Sequence, residues 1–106
     1  MEDCIFCKII AHQIPAKFLE EHEEFVVFND IHPKAPIHLL VVPKQHVASL
    51  NDLTATHFDL IANLMLNLPG IAAKHGLENG YRTVINTGAG GGQEIYHLHI
   101  HLLGGR

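Results

Sequence analysis

Residues 97–103, His97-Leu98-His99-Ile100-His101-Leu102-Leu103, alternate histidine with branched aliphatics. A period of two marks a half-buried strand, because successive side chains leave opposite faces of the pleat. The spacing predicts a strand over 95–103. Leu98, Ile100 and Leu102 then pack on a core, and His97, His99 and His101 stand in a row on the other face, ~7 Å apart. Ten of the 106 residues are histidine, a side chain that titrates near neutral pH, binds metals and acts as a nucleophile. Two chemistries suit such a row. His-x-His can supply two ligands to zinc, and a neutral imidazole can attack an electrophile while its neighbours fix its tautomer.

Composition excludes several classes of function. A chain of 11.7 kDa with 47% hydrophobic and 17% charged residues reads as one folded domain over 1–106, with material for one core. Seven Lys+Arg against eleven Asp+Glu give a net charge of -4 without a basic run, which argues against a nucleic-acid polymer as partner. The longest apolar runs, such as 39–42, are strand length, so no membrane span is expected. Met1-Glu2-Asp3 lacks the positive segment of a signal peptide, and a cytoplasmic location is the expectation. There Cys4 and Cys7 stay reduced, as ligands, redox thiols or packing.

The remaining pattern is α+β. A short helix is expected over 4–11 and strands over 18–20, 25–29, 38–42 and 81–86, the third stopped by Pro43. Apolar positions from Phe58 to Ala72 recur at helical spacing, predicting one long helix over 54–75 that Pro69-Gly70 kinks or splits and Gly76 caps. His12, His22, His32, His57 and His75 read as surface residues. The loop Thr87-Gly88-Ala89-Gly90-Gly91-Gly92-Gln93 has four glycines without the Lys-Ser/Thr ending of a P-loop. It suits either close backbone approach to an anion or an ordinary hairpin.

The run Gly92-Gln93-Glu94-Ile95-Tyr96-His97-Leu98-His99-Ile100-His101-Leu102-Leu103-Gly104-Gly105-Arg106 resembles the signature of the histidine triad (HIT) superfamily, most closely its HINT-like nucleotide-binding branch. Cys4-Ile5-Phe6-Cys7-Lys8-Ile9-Ile10, Phe28-Asn29-Asp30-Ile31, Pro36-Ile37-His38-Leu39-Leu40-Val41-Val42-Pro43-Lys44 and Gly80-Tyr81-Arg82 resemble family segments in family order. His101 stands where the galactose-1-phosphate uridylyltransferase relatives carry Gln, which favours the hydrolase side.

The resemblance implies a HIT-like fold, with a five-stranded antiparallel sheet continued across a homodimer. It implies hydrolysis of purine nucleoside phosphoramidates, of the AMP-amine or aminoacyl-adenylate type, through a nucleotidyl-histidine. In that reading His99 is the nucleophile, with His97, His101 and His38 supporting it. Asn86 and backbone N–H groups around Gly92, Gln93 and His99 hold phosphoryl oxygens, Asp30 takes the ribose, and Phe6, Ile9, Phe28 and Ile31 form the base slot. Glu94 is a departure, since several relatives carry serine there. Cys4, Cys7, His46 and His97 would form a structural zinc site, with no metal needed in the chemical step. The alternatives are cleavage of dinucleoside polyphosphates, a zinc-stabilised nucleotide sensor or scaffold without turnover, and a zinc hydrolase using His97, His99 and His101 as ligands.

Overall fold

In a computed structural model that describes residues 3–105, the chain forms β1 (Glu20–Glu21), β2 (Phe25–Asn29), β3 (Ile37–Pro43), β4 (Tyr81–Val84) and β5 (Ile100–Gly104). All pairings are antiparallel, in the order β1-β2-β3-β5-β4. The central strands are buried from both sides, which explains why Phe25-Val26-Val27-Phe28 and Leu39-Leu40-Val41-Val42 are continuous apolar runs rather than alternating ones.

Residue parity sorts the strands between two cores. Phe25, Val27, Leu39, Val41, Ile100 and Leu102 face α2 (Phe58–Lys74) and meet Leu60, Leu64, Leu68 and Ile71. Val26, Phe28, Leu40 and Val42 face the opposite way, onto Phe6 and Ile9 of α1 (Ile5–Ile10). His101 pairs with Leu40 across the β3–β5 ladder, so it lies on the α1 face. The fold therefore places the histidine side of β5 beneath the N-terminal helix.

Four expectations need correction. The strand expected over 95–103 begins only at Ile100, so the three histidines do not form one row. The ladder pairs Ile100 with Val41, and two residues on, Pro43 has no N–H with which to continue it. The Leu98 N–H turns away to the Val47 carbonyl at 2.7 Å. The strand expected over 81–86 ends at Val84, and the one at 18–20 shifts to Glu20–Glu21. The long helix is not split: α2 starts at Phe58 after a 3-10 turn over Ala55–His57 and runs through Pro69 to Lys74. Pro69 and Gly70 are exposed, so the carbonyl left without its helical donor sits where water can reach it. Gly76, at φ 87, follows the cap residue His75, and Leu77 N–H bonds the Ala72 carbonyl at 2.8 Å, a Schellman ending.

Candidate functional site

The hydrogen-bond partners of the histidines decide which ring nitrogen carries each proton. His99 is 8% exposed, and its Nδ1 lies 2.7 Å from the His97 carbonyl oxygen. A carbonyl only accepts, so Nδ1 bears the hydrogen and Nε2 keeps a bare lone pair. Burial pushes the imidazole below its ordinary value, while the bond to the His97 carbonyl resists. Near neutral pH His99 is thus an uncharged imidazole whose Nε2 carries no hydrogen.

His38 carries the opposite arrangement. The Lys34 backbone N–H donates to its Nδ1 at 3.1 Å, which puts the His38 proton on Nε2. Nε2 in turn donates to His101 Nδ1 at 2.9 Å, with Asp30 Oδ2 at 3.4 Å. His101 is left with its own hydrogen on Nε2. Burial, reinforced by neighbouring His99 and His38, pushes the His101 imidazole down to about 4, and burial also holds His38 below its ordinary value.

His97 belongs to another cluster. Its fully buried imidazole donates from Nε2 to the Pro43 carbonyl at 2.7 Å, leaving Nδ1 bare. That atom lies 3.2 Å from Cys4 Sγ, 3.6 Å from Cys7 Sγ and 3.2 Å from His46 Nδ1, and Cys7 Sγ is 3.3 Å from His46 Nδ1. All four donor atoms fall within 4.8 Å of one another. Zinc bonds of about 2.0–2.3 Å give tetrahedral edges of roughly 3.3–3.8 Å, so this donor set fits such an ion. Burial, with the neighbouring Cys4, raises the Cys7 thiol to about 11; a cation among the four groups would reverse that penalty by favouring the thiolate.

A cavity of about 570 Å³ opens beside His99 and His101. Phe6, Ile9, Phe28 and Ile31 supply apolar wall, Asp30 stands among them, and Asn86, Gly92 and Glu94 close the glycine-loop side. Ile31 is 85% exposed and forms no part of either core, yet it lines the cavity. Asp30 Oδ1 accepts the His32 N–H at 2.8 Å, which fixes the carboxylate at the end of β2.

The chain matches the family model described as "Scavenger mRNA decapping enzyme C-term binding" over residues 3–106. A HIT-like protein of Synechococcus elongatus is 55% identical over 105 residues, 99% of this chain and 92% of that one. The chain belongs to the histidine triad superfamily. Among solved structures, a HIT family hydrolase from Legionella pneumophila superposes with TM-score 0.93 at 48% identity, covering 98% of this chain and 94% of that one. The histidine triad nucleotide-binding protein from Candida albicans gives TM-score 0.85 at 32% identity, covering 94% and 73%.

Within this HIT protein the expected site residues divide. His99 and His101 line the cavity, and His38 supports His101 from behind. The His97 side chain faces the cysteines, and only its backbone carbonyl reaches His99. Gln93 is not positioned as expected. Its N–H bonds the Gly88 carbonyl at 3.0 Å, and its buried side chain receives the Gly88 N–H and donates to the carbonyls of Ala48 and Ile95. Gly91 and Gly92 N–H groups are likewise engaged within the loop. The loop is braced internally, so these three amides do not form an anion cradle. Asn86 Nδ2 donates to the Gly91 carbonyl at 2.8 Å, holding the loop at the cavity edge.

Sequence reading missed Leu40, Lys34 and Arg82, which also line the cavity. Leu40 was within reach, since it lies two residues from His38 on the same strand face. Lys34 carries no local pattern, and the family-like segment Gly80-Tyr81-Arg82 gives Arg82 no role of its own. The five histidines read as surface residues include three with partners: His22 Nε2 and His75 Nε2 flank Glu20 at 2.6 and 2.8 Å, and His57 Nδ1 accepts the Thr54 N–H at 3.0 Å.

Proposed function

We propose that this HIT protein hydrolyses purine nucleoside phosphoramidates through a covalent nucleotidyl-histidine at His99. The observation that carries the reading is the His99 tautomer: a buried, neutral imidazole whose Nδ1–H is tied to the His97 carbonyl and whose Nε2 is bare at a cavity with an apolar slot. Phe6, Ile9, Phe28 and Ile31 receive the base, and Asp30 accepts from the ribose hydroxyls. His99 Nε2 attacks the α-phosphorus, and the bond from phosphorus to the amine nitrogen breaks. The phosphoryl anion opposes the burial that lowers His101, so the His38–His101 pair takes up a proton on substrate binding and His101 Nε2 passes it to the departing amine. Water then attacks the phosphorus and gives a proton to the now neutral His101 as the bond to His99 Nε2 breaks, and a nucleoside monophosphate leaves. Two moderate displacements replace one difficult one.

Glu94 favours this reading over cleavage of dinucleoside polyphosphates. Glu94 lines the cavity, and a carboxylate there opposes a leaving group that departs as a phosphate anion more than one that departs as an amine. The zinc-hydrolase alternative conflicts with the geometry, because His97 turns to the cysteines while His99 and His101 face the cavity.

A structural zinc ion suits Cys4, Cys7, His46 and His97; it would pin the N-terminal segment to the loop after β3 and take no part in the phosphoryl step. Free thiols at both cysteines suit a reducing compartment, here the cytoplasm, and no helix among the described residues is long and apolar enough to cross a membrane. The assembly we propose is a homodimer continuing the sheet across the β4 edge. Exposed Phe58 and Leu66 on α2, at 74% and 80%, supply apolar surface for a second copy to cover.

An intact-mass time course with an adenosine phosphoramidate, run beside His99→Ala, tests the reaction. The expected result is a transient adenylyl adduct on the native protein and none on the variant. Cleavage that persists in His99→Ala would remove His99 as nucleophile, and AMP binding without adduct or turnover would favour the sensor.

A further inference from the structure

The metal cluster and the cavity share two joints. The first is α1, a six-residue helix, far too short to be stable on its own. Cys4 caps it, with Sγ accepting the Cys7 N–H at 3.3 Å. Between the two cysteines lies Phe6, whose ring meets His97 edge-on at 5.8 Å, His99 at 5.2 Å and Phe28 at 5.7 Å. One turn of helix therefore carries both thiols of the cluster and a wall of the base slot. The second joint is His97. Its Nδ1 faces the thiols, and its carbonyl takes the His99 Nδ1–H.

From this geometry we propose that metal occupancy of the Cys4–Cys7–His46–His97 cluster and nucleotide occupancy of the cavity are thermodynamically linked. An ion held by the four residues fixes α1 and His97 together, so Phe6 and His99 are in place before the nucleotide arrives. Without the ion, ordering that turn draws on nucleotide binding energy. Linkage is reciprocal: the factor by which the ion tightens nucleotide binding equals the factor by which nucleotide tightens the ion. The inference rests on reading the cavity as a nucleotide slot, and it gives the cluster a role beyond holding the fold together.

The test uses Zn²⁺ and AMP as probes. AMP affinity is measured by calorimetry on zinc-loaded protein and on protein stripped by dialysis against a chelator, with circular dichroism to verify the fold. Zinc affinity is measured by competition with a chromophoric chelator, with and without saturating AMP. We expect AMP to bind about 5-fold or more tightly to the loaded form, and zinc affinity to rise by the same factor with AMP. Phe6→Ala keeps all four ligands while removing the side chain between cluster and slot. Its zinc stoichiometry should hold while the linkage factor falls, the His97 joint alone remaining.

Equal AMP affinity in loaded and stripped protein, or zinc affinity indifferent to AMP, would overturn the linkage and leave the nucleotide reading standing. Absence of AMP binding to either form would overturn both. A linkage factor undiminished in Phe6→Ala would overturn the α1 joint and leave His97, between the thiols and His99, as the carrier of the coupling.

Discussion

Among the described residues two clusters offer three or more ligand-type side chains within 4.8 Å: Cys4, Cys7, His46 and His97 in one, Asp30, His38 and His101 in the other. By composition both could hold a divalent ion. What separates them is the partner of the far ring nitrogen of one histidine in each. At His97 that partner is the Pro43 carbonyl, which keeps the proton on Nε2 and turns the Nδ1 lone pair towards the thiols. At His38 it is the Lys34 N–H, which occupies the Nδ1 lone pair and forces the proton onto Nε2. A cation at Nε2 of His38 would have to displace that proton and leave an imidazolate. One cluster is thereby set up to take a metal and the other to handle a proton, and in each case a backbone group behind the ring makes the choice.

The sharpest break of the comparison is chemical. His99→Ala, which touches neither cluster's internal bonds, should lower single-turnover cleavage by roughly 10⁴-fold or more while leaving zinc content unchanged. Cys7→Ser tests the metal side, with loss of bound zinc in elemental analysis and a drop in Tm of about 10 °C or more expected for loss of a structural ion in a small domain. Lys34→Pro removes the amide that fixes the His38 tautomer. Turnover should fall by about 10–100-fold, and the freed cluster should take up a second Zn²⁺ per chain. A variant that stays at one zinc would show that the amide is not what excludes the metal.

A smaller effect concerns pH. A histidine whose value is depressed stays neutral until the pH falls to that lower value. With His101 at about 4 and His38 also lowered by burial, the free protein holds no proton on the pair near neutral pH and must take one up to react, so kcat/KM should keep rising as pH drops through 6.5 and level off only below. A limb centred at 6.5 would contradict the buried pair. The smallest expected effect lies outside both clusters, at Glu20. Burial raises its carboxyl, but hydrogen bonds with His22 and His75 outweigh that and bring it below its ordinary value. A depressed carboxyl stabilises the fold above its unfolded value, and that stability is lost as pH falls through the folded one. His75→Ala should therefore cost about 0.5–1 kcal/mol at pH 7 and less in acid, measured by urea unfolding.

The sheet was legible because its central strands are uninterrupted apolar runs, and α2 because its apolar positions recur at helical spacing from Phe58 to Ala72. The end of the histidine strand was not legible. Local alternation continues back to Ile95, but pairing stops where Pro43 faces it on the neighbouring strand, and nothing near residue 97 encodes what lies opposite. Gln93 misled for a similar reason. A glutamine in a glycine-rich loop looks available to a ligand, yet its amide reaches Ala48 across the chain.

Residue chemistry by itself determined that this protein carries an uncommon density of imidazole beside two thiols, and alternation determined that aliphatics and histidines part company around residue 100. The tertiary structure alone decided what each imidazole is for. An isolated histidine has two nearly equivalent tautomers, and only the carbonyls of Pro43 and His97 and the amide of Lys34, brought in from distant or folded-back backbone, make them unequal.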